Sequence, residues 1–161
     1  MHAQGTCIPE IQNSLFSINM ASSLGGAVCN TGGADSIYKE CEFTGNSATG
    51  TDGGQGSGGA IFNDSSSPVF DTCRIHQNTA TTYGGGMYNW YATPVIENDS
   101  WSPYYRILDN TSTNGGGIFS FGDGPSLHSI VLCGNMPDQI GGQWEDLSEN
   151  CLAESCDSDD G

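Results

Sequence analysis

The chain has 161 residues, 24 of them Gly, and carries 19 Asp and Glu against 3 Lys and Arg, a formal net charge of −16. So acidic a surface repels phosphate backbones and anionic headgroups, which argues against nucleic acid as a partner. No apolar run approaches the roughly 18 residues that span a bilayer, which argues against membrane insertion. The length suits one domain. Apolar and aromatic residues are spread along the whole chain, so it reads as folded rather than disordered.

Residues 1–10 hold neither a basic nor an apolar signal segment and read as a lead-in. From Ile11 onward two short motifs alternate. One is Gly-Gly followed by an apolar residue, beginning at Gly25, Gly58, Gly84, Gly115 and Gly141. The other is apolar-x-x-Asn, ending at Asn19, Asn46, Asn78, Asn110 and Asn135. Successive Gly-Gly pairs lie 33, 26, 31 and 26 residues apart, so the basic period is 26. The extra residues fall mainly within 47–57 and 94–105, at turns, while the segments between keep their length. A solenoid tolerates variation in this way.

Each unit holds three short stretches, such as Ala60-Ile61-Phe62, Val69-Phe70-Asp71 and Cys73-Arg74-Ile75. They are rich in β-branched and aromatic residues and bounded by Gly, Asn, Ser and Pro, which predicts strands. No stretch keeps a Gly-free helical period. Three strands per unit in stacked coils predict an all-β parallel β-helix of about five coils over 11–147. Residues 148–161 then form an acidic, Cys-containing cap or tail, and 138–161 hold 8 of the 19 acids.

Stacking places equivalent residues one strand spacing apart. Three columns are then apolar: Phe16, Phe43, Ile75, Ile107, Leu132; Ile11, Tyr38, Phe70, Ile96, Leu127; and Val28, Ile61, Met87, Ile118, Trp144. One per face, they fill a triangular core. Asn19, Asn46, Asn78, Asn110 and Asn135 form a ladder whose amides bond to those above and below.

Phe43-Thr44-Gly45-Asn46 alternating with Gly58-Gly59-Ala60-Ile61 resembles the repeat of chlamydial polymorphic outer-membrane proteins. Cys41-Glu42-Phe43-Thr44-Gly45-Asn46 is similar to right-handed parallel β-helix domains of secreted bacterial surface proteins, and the segment from Cys133 to Trp144 is similar to their last coil. The resemblance covers 11–144. It implies a right-handed β-helix, export and a secreted or cell-surface location, and it implies no reaction.

Seven cysteines also lean toward an exported protein. Their number is odd, so at least one thiol is free or pairs between chains. Cys7 with Cys29 and Cys133 with Cys151 are placed to staple the two ends. Cys41 and Cys73 stack in one column, as buried thiols or as a disulfide, and Cys156 falls in their register.

The exposed features suggest binding. Trp90 and Tyr91 stand where the previous coil has Asp64 and Ser65, and the insertion before Arg106 adds Trp101 and Tyr104. Exposed aromatic clusters stack on sugar rings or mark interfaces. The expected function is therefore a non-enzymatic, exported structural or adhesive module that displays turns to a surface glycan or protein. An uncapped first coil also invites head-to-tail self-association into a filament or spike. The alternative is a polysaccharide lyase or hydrolase: β-helix lyases use stacked carboxylates for calcium and a basic residue as base. Asp71 and Glu97, with Arg74 and Arg106 in the neighbouring column, would serve. No other cofactor is expected. Asn63, Asn98 and Asn110 begin glycosylation sequons, the last on a ladder residue.

Overall fold

The computed structural model describes residues 1–6, 8–51, 55–98 and 106–156. It is all-β among these residues, a parallel β-helix of three six-stranded faces and one short three-stranded sheet. The first face stacks His2–Gln4, Val28–Thr31, Ile61–Asp64, Met87–Trp90, Ile118–Phe121 and Ile140–Gly141. The second stacks Glu10–Gln12, Ile37–Lys39, Val69–Asp71, Val95–Glu97, Ser126–His128 and Glu145–Ser148. The third stacks Leu15–Ser17, Glu42–Thr44, Arg74–His76, Arg106–Leu108, Val131–Cys133 and Cys151–Ala153. Met20–Ala21, Ser47–Ala48 and Thr79–Ala80 form the short sheet. Six strands per face make six coils, one more than the five expected. The ladder starts at His2 and runs to Ala153, so the lead-in and part of the acidic tail are both strands of the solenoid rather than segments outside it.

The register follows the predicted columns over most of the length. Phe16, Phe43, Ile75, Ile107 and Leu132 stack in order, as do Ile11, Tyr38, Phe70, Ile96 and Leu127. Phe16 lies face to face on Phe43 at 4.7 Å, and Tyr38 on Phe70 at 4.9 Å. Each side chain thus has an apolar or aromatic neighbour one rung away, and Tyr38, Phe43, Phe70, Ile75, Ile107, Leu127 and Leu132 are buried.

The corners explain the Gly-Gly pairs. A Cβ at Gly59 would run into the Gly85 carbonyl of the next coil, so the stacked backbones admit no side chain there. The backbone is left-handed at two further corners: Asn13, Glu40, Thr72 and Ser129 share one, and Ile18, Gln77 and Asp109 share another with Gly45 and Gly134.

The Asn ladder is fully bonded at its centre. The Asn78 Oδ1 accepts the backbone N–H of Asn46 at 2.8 Å and its Nδ2 at 3.0 Å. Its own Nδ2 donates to the Phe43 carbonyl at 3.0 Å and to the Asn110 Oδ1 at 2.9 Å. A buried amide with all four bonds made carries no desolvation debt. The ladder ends at Gln139, whose Oε1 accepts from Asn135 at 2.6 Å in place of a further Asn. A second ladder, absent from the sequence reading, runs Asn30 to Asn63 to Asn89 at 2.9 Å each and closes on the Ser120 hydroxyl. The sequon at Asn63 is therefore buried, as is the one at Asn110.

The last coil departs from the prediction. Ile140, not Trp144, pairs with Ile118 and completes the third apolar column. Gly141 stands beside Phe119, so the fifth Gly-Gly pair is not at the Gly-Gly corner. The chain reaches the first face by a shorter path after Asn135, with Met136 taking the corner next to Gly116. Trp144 packs against the core from its end. The second core column also changes character: Asp146 follows Leu127, with Asn150 donating to its carboxylate at 2.7 Å.

The disulfide pairing is corrected too. Cys133 bonds to Cys156 with Cα atoms 5.2 Å apart, and Cys151 is a free, exposed thiol. Cys151 is registered with Val131, two residues from Cys133. That diagonal spans roughly 8 Å, beyond the reach of a disulfide. Cys156 lies past this strand and out of register with Cys73. Cys29 is also free, and Cys7 lies outside the described residues.

Candidate functional site

The outward column of the first face changes from polar to aromatic along the axis. Thr31 pairs with Asp64, Asp64 with Trp90, and Trp90 with Phe121. Trp90 and Phe121 lie face to face at 4.5 Å, only 10° from parallel. Tyr91 stands nearly perpendicular to both, at 5.4 Å and 5.6 Å. The three rings remain 38%, 54% and 46% exposed for Trp90, Tyr91 and Phe121. Stacked and edge-to-face contacts hold such rings in place while leaving apolar surface in water.

The backbone beneath them is committed to this arrangement. Tyr91 is left-handed at φ 45°, at a corner where other coils use Gly32, Ser65 and Gly122. An aromatic residue there costs of order 1 kcal/mol over glycine. Gly122 makes room for it: a Cβ would come within 2.6 Å of the Tyr91 ring. Behind the cluster, Phe62, Tyr88 and Phe119 form the neighbouring outward column, and Tyr83 covers Tyr88 and Phe119 at 5.5 Å and 4.6 Å. Burial pushes the Tyr88 hydroxyl up to about 12. Phe121 was not singled out in the sequence, although it lies three residues after Ile118 as Trp90 lies three after Met87. Trp101 and Tyr104 lie outside the described residues.

The charged columns are where the spacing placed them. Asp71 pairs in register with Lys39 and Glu97, and Glu97 with His128. Glu42 and Arg74 are registered on the third face, with Arg106 on the next strand. Arg74 is turned toward Glu42, with Nη1 3.6 Å from Oε1, and the same oxygen takes a 2.7 Å bond from the His76 Nε2. Thr44 lies 3.5 Å from the His76 Nδ1. The Asp71 carboxylate accepts the Thr72 hydroxyl at 2.8 Å. Among the described residues, no ion pair joins Arg74 to Asp71, and no three His, Cys, Asp or Glu side chains gather as a metal-binding group. No helix among them is long and apolar enough to cross a membrane.

Cys41 and Cys73 are stacked, buried thiols. Cys41 donates to the carbonyl of Lys39 at 3.3 Å, and Cys73 to that of Tyr38 at 3.4 Å. The contact between the two thiols lowers Cys41 and, together with burial, raises Cys73.

Residues 40–64 match the family model of the Chlamydia polymorphic membrane protein repeat. The matched segment runs through the Phe43-x-x-Asn46 strand, the Gly58-Gly59 corner and the Ile61–Asp64 strand. No curated protein and no solved structure matches the chain. The matched repeat is that of a bacterial surface or outer-membrane protein, and the match covers about one coil of this chain.

Proposed function

We propose that the chain is a non-enzymatic, surface-displayed β-helix module that binds carbohydrate through Trp90, Tyr91 and Phe121. The exposed, mutually stacked aromatic cluster carries this reading. Three rings on adjacent rungs of a rigid wall form a preorganised apolar surface, so binding immobilises little. The repeat match supports surface display. A glycan array probed with the wild-type chain and with Tyr91→Ala and Phe121→Ala tests it. Binding that both substitutions weaken supports the reading; an array with no bound glycan sinks it.

A second reading, self-association, is favoured by the first coil. Leu15, Ile18 and Met20 are 62%, 85% and 75% exposed there, and Ile11 and Phe16 are only partly buried. Self-pairing of this apolar patch joins like to like, and its product is a closed dimer rather than a filament. Light scattering across a concentration series distinguishes dimer, filament and monomer, and a strict monomer refutes this second reading.

A further inference from the structure

The column of the carbohydrate reading stops one rung short. Phe121 covers one face of the Trp90 indole. Tyr91, nearly perpendicular to both stacked rings and almost equidistant from them at 5.4 Å and 5.6 Å, flanks the stack rather than capping it, and Tyr88 is 6.4 Å away in the neighbouring outward column. Among the described residues the other face of the indole looks toward the rung occupied by Asp64. Strands lie about 4.8 Å apart. A short carboxylate at this position therefore leaves open the space that a ring would fill. Ser65 donates to the Asp64 Oδ1 at 2.8 Å, which holds the carboxylate while leaving Oδ2 to accept further bonds.

We infer that the open face of Trp90 above Asp64 is a subsite for one uncharged pyranose ring, which stacks as the missing rung and donates hydroxyl hydrogen bonds to Asp64. The inference rests on the carbohydrate reading above. A pyranose offers an apolar C–H face for the indole and hydroxyls around its edge for a carboxylate, so one ring satisfies both groups. Bonds to an ionised acceptor are the stronger kind. The same carboxylate selects against acidic sugars. The chain carries a net charge of −16, and the rungs flanking Asp64 hold Thr31 and Trp90, neither of which neutralises a uronate or a sialic acid. The direction of the column makes the sugar chain lie along the solenoid axis, past Thr31, rather than across it.

The test uses an array of neutral oligosaccharides printed beside their sialylated and uronate-bearing counterparts, followed by calorimetry on the best neutral one. Four chains are compared: wild type, Trp90→Ala, Asp64→Ala and, as a remote control, Glu154→Ala, an exposed acid just after the last strand of the third face. Circular dichroism confirms that each is folded. The subsite predicts neutral binding with the acidic counterparts at least roughly tenfold weaker, and a loss of roughly tenfold for Asp64→Ala and for Trp90→Ala with Glu154→Ala unchanged. Neutral binding that Phe121→Ala weakens but Asp64→Ala leaves unchanged overturns the subsite and leaves the carbohydrate reading standing. A preference for acidic glycans also overturns the subsite alone. No binding to any glycan removes both.

Discussion

Replacing Asn78 by Ala removes the ladder at its most complete rung. The side chain is fully buried and makes four hydrogen bonds. Its loss strands two buried donors on Asn46, the backbone N–H and one Nδ2 proton, and deprives the Phe43 carbonyl of a partner. Each stranded donor costs about 1–3 kcal/mol, so the loss is about 3 kcal/mol or more. That is a large share of the 5–15 kcal/mol that about covers domain stability. Asn19 supplies the contrast. It is exposed at the ladder's end, and its side chain donates only to the Asn46 Oδ1, which keeps the backbone N–H of Asn19 at 3.0 Å. Asn19→Ala therefore costs under about 1 kcal/mol. Guanidinium unfolding followed by far-ultraviolet circular dichroism measures both. Equal losses at the two positions would refute the reasoning, because the argument depends on buried groups left without partners and not on the amide as such.

Ile18 is a β-branched residue at φ 55° in a corner that the next coil fills with Gly45. Ile18→Gly should stabilise by about 1 kcal/mol, read as a rise of a few degrees in Tm; a fall would show that its exposed side chain packs on something. Brief alkylation of the native chain should modify Cys151 and spare Cys41 and Cys73 until denaturant is added, with Cys133 and Cys156 recovered as one non-reduced peptide pair. Recovery of Cys133 linked to Cys151 would contradict the register. Burial pushes Tyr38 up to about 12, above the roughly 10 of an unfolded tyrosine. The raised value favours the protonated form in the fold, so this contribution is complete below pH 10 and is lost as pH rises toward 12. Tyr38→Phe should flatten the stability slope over that window, and an unchanged slope would argue that the hydroxyl is hydrated.

The middle of the solenoid was legible because its period is written three times over, in the Gly-Gly corners, the Asn ladder and the apolar columns. Each is set by the same stacking geometry, so each independently fixes the register. The end was not. After Asn135 only the Gly141-Gly142 pair still marked the repeat, and it lay the usual 26 residues from Gly115 although the chain had taken a shorter path to the first face. Misplacing Trp144 then carried Cys156 out of position and cost the disulfide. The second Asn ladder was readable at the spacing Val28 to Asn30, Ile61 to Asn63 and Met87 to Asn89, but its residues sat among sequon and turn signals. The aromatic site was half legible. Trp90 and Tyr91 stood out against Asp64 and Ser65, whereas the stack with Phe121 depends on side-chain rotamers that spacing does not encode.

The claim that the aromatic face binds carbohydrate is tested most directly by letting Trp90 report on it. In a chain with Trp101 and Trp144 replaced by Phe, Trp90 is the one remaining tryptophan. Titration with the best neutral oligosaccharide from the array should shift its emission saturably, with a midpoint equal to the calorimetric Kd. Calorimetric binding of the same sugar with no change in Trp90 emission would place the ligand elsewhere and contradict the account.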